Sequence, residues 1–348
     1  MIPLFKPYVP RILPELDNIL HSGALSYGKW GKKFECSLCD FIGNDYLLTT
    51  NSYASAIQLA LTVLGLSFGD EVITSPMSCL ASNQPLLTFG LKIVWADIDP
   101  KTGTLSPDSV KEKITSKTKL IFHNHFCGYV GYVDEINSIG KQFGIPIIDD
   151  CVEAFGTKYK GKYMGNLGTD ISIFSFQTIR LPNTIDGGAL SFKDRKKYDK
   201  AFLMRDFGID RTAFRDINGE ISPACDISMK GYGMTMSEIS SYIGYSQMDD
   251  IPLLLMKQYN NACHWKKKLS AAVTLWRENV QPNNWVFGLL SDNKVEDMLL
   301  FREKGYYSSG VHLPNNYYSV FGEKEYLLGV EDFYKKFLAI PSGWWVEL

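Results

Sequence analysis

The chain has 348 residues, 45% of them hydrophobic and 21% charged, with 36 Lys and Arg set against 38 Asp and Glu for a net charge of −2. That mix excludes a mainly disordered chain, and charge this close to balance argues against nucleic acid or an anionic membrane as the main partner. The apolar runs are strand-sized, far below the roughly 20 residues a membrane helix needs. The proline-rich start Met1–Pro10 lacks the basic head and apolar core of a secretory signal. Seven cysteines, an odd number without a signal, fit reduced thiols and a cytoplasmic location. Cys36 and Cys39 have no second pair to complete a metal site, so no metal is expected.

From Tyr46 to about Phe192, short apolar runs alternate with helix-length amphipathic segments. Tyr46–Thr49 reads as a strand, and Ser55–Leu64 as a helix with Ala56, Leu59, Ala60 and Val63 on one face. Glu71–Ser75 and Lys92–Ile98 read as strands on either side of a helix from Ala81 to Thr88. Ser106-Pro107 opens another helix, with serine as N-cap and proline at the first helical position. Lys119–His123 and Ile145–Ile148 are strands flanking a helix from about Val133 to Phe143. This alternation predicts βαβ units and a mostly parallel sheet covered on both faces. Beyond Asp150, Ala154–Asn166 reads as a hairpin, followed by strands at Ile171–Phe176 and Ala189–Phe192. A helical pattern starts near Ser237, breaks before Pro252 and runs to about Leu269. The remainder reads as a small α+β region with a strand at Trp285–Leu290 and a helix at Lys294–Glu303.

In an open α/β sheet, ligands bind beyond the carboxyl ends of the strands, and three clusters fall there. Asn51–Ser55 lies at a strand-to-helix turn, where backbone N–H groups and the Ser52 and Ser55 hydroxyls suit phosphate; an ordinary serine N-cap explains the same residues. Asp149-Asp150 ends a buried strand, where a carboxylate suits a protonated ring nitrogen, a metal or a cap. Ser175–Arg180, followed by Asp186-Gly187-Gly188, is a polar loop with glycines that allow close backbone approach. By periodicity alone it is only a connection between strands. The alternating Lys158, Lys160 and Lys162 read as a solvated hairpin face.

Taken in order, these clusters resemble the DegT/DnrJ/EryC1/StrS family of pyridoxal-phosphate sugar aminotransferases. Ser22–Gly28, Leu64-Gly65 through Gly69–Val72, Asp97–Pro100, Ile148–Asp150 with Glu153-Ala154, Phe174–Phe176, Asp186–Ala189, and Gly231-Tyr232 with Met236–Glu238 carry the resemblance. It implies a type I pyridoxal-phosphate fold: a large α/β domain over residues 1–240 and a small α+β domain over 241–348, in a homodimer. The family's last helix has no counterpart after Trp344–Leu348. The resemblance further implies that Asp150 pairs with the pyridine nitrogen and keeps the ring an electron sink. By the same token Glu153 meets the ring hydroxyl, Ser175 and Ser52 hold the phosphate, and Cys79 takes the place of a stacking aromatic. The expected substrates are a nucleotide-linked keto-deoxysugar and an amino donor such as glutamate, in deoxyamino-sugar or surface-polysaccharide (O-antigen) synthesis.

Several positions depart from the pattern. The Schiff-base lysine, expected four residues after Phe176, is Arg180. A lysine amine can lose its proton and attack an aldehyde; a guanidinium stays protonated and delocalised, so no internal aldimine forms there. The phosphate-binding threonine is Ala54, the small residue before it is Tyr53, and the asparagine that reaches phosphate from the neighbouring subunit is Gly233. These changes imply cofactor, whether pyridoxal or pyridoxamine phosphate, that is weakly and non-covalently held or absent. Beside the inherited sugar-aminotransferase assignment stand a non-catalytic homologue that partners an active subunit or binds nucleotide-sugars, and a pyridoxamine-phosphate-dependent dehydratase-like enzyme. In the dehydratase reading His123 and His125, at a strand end, are the candidate bases, although a histidine there is more often a structural hydrogen-bonding residue. A lysine-to-arginine replacement engineered into a working enzyme would explain Arg180 but not Tyr53, Ala54 or Gly233.

Overall fold

Seven strands build the main sheet: β1 (Leu47–Thr50), β2 (Glu71–Thr74), β3 (Lys92–Trp95), β4 (Thr118–Asn124), β5 (Ile147–Asp150), β6 (Ile171–Ser175) and β7 (Gly188–Phe192). The computed structural model describes residues 1–269, 272–275 and 277–348. Spatial order is β1-β7-β6-β5-β4-β2-β3. The pairs from β6 across to β3 are parallel, and β7 alone runs against both of its neighbours. The β-branched and apolar runs of β2, β4, β5 and β6 are buried on both faces, which is what a sheet covered by helices on each side demands.

The expected elements are present with small shifts. Ser106 caps the helix Pro107–Lys113 by accepting from Ser109 N–H, and the helix Val133–Phe143 ends on left-handed Gly144. The expected strand Lys92–Ile98 is split into β3 and the short strand Ile98–Asp99. Asp97 causes the break: its carboxylate accepts from Ile98 N–H and, from the far end of the chain, from Gly329 and Val330 N–H. It thereby caps the helix Leu328–Lys336. The pattern around Pro252 likewise resolves into Glu238–Tyr245 and Ile251–Lys268, with Pro252 in the first turn of the second helix, where its missing N–H costs nothing.

Two buried contacts fix the approach to β1. The Glu35 Oε1 atom accepts from Thr49 N–H at 2.7 Å and from Arg205 Nη1 at 2.5 Å, while Arg205 also reaches Thr49 O at 2.7 Å. The Glu238 carboxylate accepts from the N–H groups of Gly28, Trp30 and Gly31, closing the exposed start of helix Lys29–Ile42. The C-terminal region packs on the sheet through a shared core in which Met77, Trp95 and Phe126 meet Leu275, Trp285, Val330 and Phe333. Among the described residues, no helix is long and apolar enough to cross a membrane.

Candidate functional site

All the main strands except β7 point their carboxyl ends to one edge, so Thr50, Asn124, Asp150 and Ser175 end side by side, and β7 begins there with Gly188 opposite both Thr50 and Ser175. The expected site residues gather at this edge. Ser52 is the N-cap of helix Tyr53–Val63, its Oγ accepting from Ser55 N–H at 3.0 Å. The hydroxyl expected to face a phosphate is therefore committed to its own helix. Ala54 is exposed and offers only a methyl group. Gly233 lies against the same turn of its own chain, where Asn51 Nδ2 donates to its carbonyl at 3.4 Å; it has no side chain with which to reach an anion. Ser175 is buried, its Oγ 3.4 Å from the N–H of Gln177. Cys79 occupies the N-cap position of the helix Leu80–Thr88 without a side-chain cap bond, and burial pushes its thiol up to about 11.

Asp150, at the end of β5, is fully buried. Its Oδ1 accepts from the Tyr53 hydroxyl at 2.5 Å and from Val152 N–H at 3.1 Å, while Oδ2 has no hydrogen-bond partner among the described residues. Desolvation raises its pKa to about 6, against the lowering effect of these hydrogen bonds. Tyr53, only 5% exposed, also meets Ser82 Oγ at 3.1 Å. Burial first, and the Asp150 charge second, push its phenol well above the ordinary value.

Arg180 is 5% exposed. Its Nη2 stands 3.4 Å from Glu153 Oε1, and its guanidinium lies over the Trp285 ring at 4.3 Å. Among the described residues the Nε and Nη1 donors, both buried, have no hydrogen-bond partner. Glu153 also meets His312 Nε2 at 2.8 Å and accepts from Cys127 N–H at 2.6 Å. Burial alone would raise the Glu153 pKa, but His312 and Arg180 outweigh it and hold the carboxyl down at about 2. Glu153 is thus an acceptor and not the hydrogen-bond donor that a ring hydroxylate would need. Trp285 and His312 were not among the expected site residues. They come from C-terminal loops, and no local spacing in the sequence marks them.

His125 follows Asn124 at the same edge, its N–H donating to Asp150 O at 3.2 Å, but its ring takes another direction. Asp149 and Asp150 project to opposite faces of β5, and the His125 ring lies on the Asp149 side, with Nε2 at 3.3 Å from Asp149 Oδ1. His123 Nδ1 joins the same oxygen at 3.0 Å, and Thr169 donates to Oδ2 at 2.5 Å. The two histidines hold the Asp149 carboxyl far below its usual range in spite of burial. His125, just beyond the end of β4, thus meets Asp149, and among the described residues no contact joins it to Arg180. The atoms of His123, His125 and Asp149 lie within 4.8 Å of one another, a spacing compatible with a metal. However, Gly131 N–H donates to His125 Nδ1 at 3.1 Å, which puts the ring proton on Nε2 and blocks that nitrogen as a ligand. Lys160 lies in the hairpin Lys158–Tyr163 and pairs with exposed Asp134 at 2.6 Å, away from Asp150.

These residues do not fit pyridoxal phosphate. The carboxylate expected for the ring nitrogen, Asp150, is hydrogen-bonded to a tyrosine, and the group expected for the ring hydroxyl, Glu153, is an ionised carboxylate. The position expected for the amine holds a guanidinium, and the turn expected to take the phosphate presents Ala54, with a methyl group and no hydroxyl.

A family model described as the DegT/DnrJ/EryC1/StrS aminotransferase family matches residues 9–343. Among solved structures, the chain is similar to the sugar aminotransferase CalS13 from Micromonospora echinospora (26% identity, TM-score 0.92, covering 100% of this chain and 96% of that one). It is also similar to AtS13 from Actinomadura melliaura (29%, TM-score 0.92, 100% and 95%). A third, Helicobacter pylori PseC, an aminotransferase involved in the biosynthesis of pseudoaminic acid, matches at 25% identity and TM-score 0.85 over 99% and 95% of the two chains. With the sheet, its site edge and a match over nearly the whole length in agreement, the chain belongs to the DegT/DnrJ/EryC1/StrS aminotransferase family.

Proposed function

We propose that this chain serves deoxyamino-sugar or surface-polysaccharide synthesis as a non-transaminating family member, a cytoplasmic homodimer that binds a nucleotide-linked deoxysugar or accompanies an active paralogue. The activities named for CalS13 and PseC, both acting in sugar metabolism, support the substrate class. The reading rests on Arg180, expected where the family keeps its reactive amine, and the observation that supports it is the pairing of Arg180 with Glu153 and its stacking on Trp285. A guanidinium cannot capture an aldehyde or shuttle a proton near neutral pH. Its planar fork does suit a phosphate or carboxylate, and its buried Nε and Nη1 have no partner among the described residues.

The test is a pair of measurements on the purified protein. Calorimetric titration with dTDP-glucose and with UDP-N-acetylglucosamine should show saturable binding of at least one of them, weakened in Arg180→Met. Incubation with a dTDP-linked 4-keto-6-deoxysugar, glutamate and pyridoxal phosphate should yield no amino sugar by mass spectrometry. Formation of amino sugar by the unaltered chain alone would overturn the proposal.

A further inference from the structure

We propose that Tyr53 is a built-in occupant of the pocket that the family gives to its B6 cofactor, filling the space between the helix N-terminus and Asp150 so that the pocket is closed to pyridoxal and pyridoxamine phosphates. This goes beyond the loss of the amine at position 180, because it concerns whether the cofactor can enter at all.

The placement carries the argument. Tyr53 is the first residue of its helix, directly after the Ser52 cap. Its side chain therefore begins where helix N–H groups would otherwise meet a phosphate. It ends on a strand 97 residues away, with the hydroxyl 2.5 Å from Asp150 Oδ1 and 3.1 Å from Ser82 Oγ. The phenol thus links the two ends of the expected cofactor seat, one at the phosphate turn and the other at the carboxylate assigned to the ring nitrogen. Its ring is packed into the principal core with Leu86, Val152 and Leu190 and is not free to swing into solvent. The backbone beneath it cannot retreat: a Cβ built on Gly188 would stand 2.8 Å from Ser52 O and 3.0 Å from Tyr53 Cα, so β7 already touches this turn.

The chemistry agrees with the geometry. A phenol O–H donates one hydrogen bond to a carboxylate, as a protonated ring nitrogen would, and supplies an aromatic ring in the same region. A charge-assisted bond in a dry site is strong, and an incoming ring would have to break it and displace a packed aromatic side chain. Asp150 Oδ2 does not change this, because that oxygen, without a partner among the described residues, is itself fully buried.

Equilibrium binding of pyridoxamine phosphate tests the proposal without any activity. This compound has no aldehyde and so cannot react with surface lysines. Fluorescence quenching or calorimetry is run on the unaltered chain, Tyr53→Phe, Tyr53→Ser and Tyr53→Gly, with circular dichroism to certify the fold. The unaltered chain and Tyr53→Phe should give no saturable signal. Tyr53→Gly and Tyr53→Ser, which vacate the ring, should bind at least tenfold more tightly than the unaltered chain. Saturable binding by the unaltered chain overturns the proposal whatever the variants do, and so does a folded Tyr53→Gly that binds no better than the parent. Failure here is separable from failure of the proposed function: reversible pyridoxamine phosphate binding without amino transfer sinks only the pocket argument, whereas amino-sugar formation sinks the functional one.

Discussion

Arg180 and Glu153 face each other 3.4 Å apart inside the protein, and His312 meets the same carboxylate oxygen at 2.8 Å. This pairing limits what a simple reversion could achieve. A lysine at position 180 would sit beside an ionised Glu153, which favours the ammonium and raises the amine pKa. Arg180→Lys alone should therefore capture no pyridoxal phosphate: after borohydride reduction and digestion, the peptide carrying residue 180 should keep its unlabelled mass. Combining it with Glu153→Gln and Tyr53→Gly should produce labelling at position 180. A labelled peptide from Arg180→Lys alone would show that neither Glu153 nor Tyr53 restrains the site.

Removing Arg180 without a replacement charge tests the same cluster energetically. Arg180→Met takes one cation from Glu153 but leaves His312 and the Cys127 N–H in place. The expected cost is about 1–3 kcal/mol in denaturant unfolding at pH 7, less than for a buried pair left with no second partner. The double variant Arg180→Met/Glu153→Gln should recover part of that loss, because it removes the uncompensated charge together with its partner.

Asp150 and Glu153 carry opposite pH signatures. Glu153 has its pKa lowered to about 2, so its contribution to stability is present above the ordinary value of 4.5 and is lost as pH falls toward 2. Asp150 has its pKa raised to about 6 from 3.8, so the folded state binds its proton more readily than the unfolded chain does. Its ionisation therefore costs stability as pH rises from about 4 to 6, and the cost persists above that. Asp150→Asn should be more stable than the parent at pH 8 by about 1–3 kcal/mol, with the difference shrinking toward pH 4. A difference that is flat across this range would mean that Asp150 is not raised.

The sheet was legible because its strands are short apolar runs separated by helix-length amphipathic segments, and Ser106-Pro107 and Gly144 mark helix ends through local chemistry alone. The helix Arg195–Met204 was missed because it buries only Ala201 and Met204 and so leaves little apolar periodicity. Within the site, the departures at Tyr53, Ala54 and Arg180 could be read one residue at a time. Their partners could not: Tyr53 meets Asp150 across 97 residues and Glu153 meets His312 across 159. The orientation of His125 was hidden for a related reason. Its neighbour β5 is buried on both faces, so its pattern does not say which of Asp149 and Asp150 looks toward Arg180.

Gly231 belongs to one of the motifs that carried the resemblance, and the structure gives it a packing role. A Cβ added there would lie 2.3 Å from Gly208 N and 2.4 Å from Phe207 C, both backbone atoms that cannot rotate away. Gly231→Ala should therefore lower stability by about 1–3 kcal/mol or more. At Gly233 the nearest obstacle is the tip of the Phe207 ring at 2.6 Å, and this ring is more than half exposed. Gly233→Ala should cost visibly less, because the ring can move into solvent. Thermal unfolding of the two variants side by side checks the order, and equal losses would contradict it.

Glu238 supplies the sharpest test of how distant motifs cooperate. Its carboxylate accepts from Gly28, Trp30 and Gly31 N–H, with distances of 2.9–3.0 Å, and these are donors that the first turn of helix Lys29–Ile42 leaves open. Gly28, the cap residue, offers no side-chain bond of its own, so the acceptor must come from elsewhere, and a negative charge at a helix start is favoured by the dipole as well. Glu238→Gln keeps one acceptor oxygen but loses the charge and should cost about 1 kcal/mol; Glu238→Ala strands all three donors and should cost about 2–3 kcal/mol. Amide exchange at Trp30 and Gly31 should accelerate in the same order, while exchange in β5 and β6 should follow only the change in global stability. If the alanine variant leaves exchange at Trp30 and Gly31 unchanged, the cap is held by the surrounding backbone and Glu238 is dispensable to it.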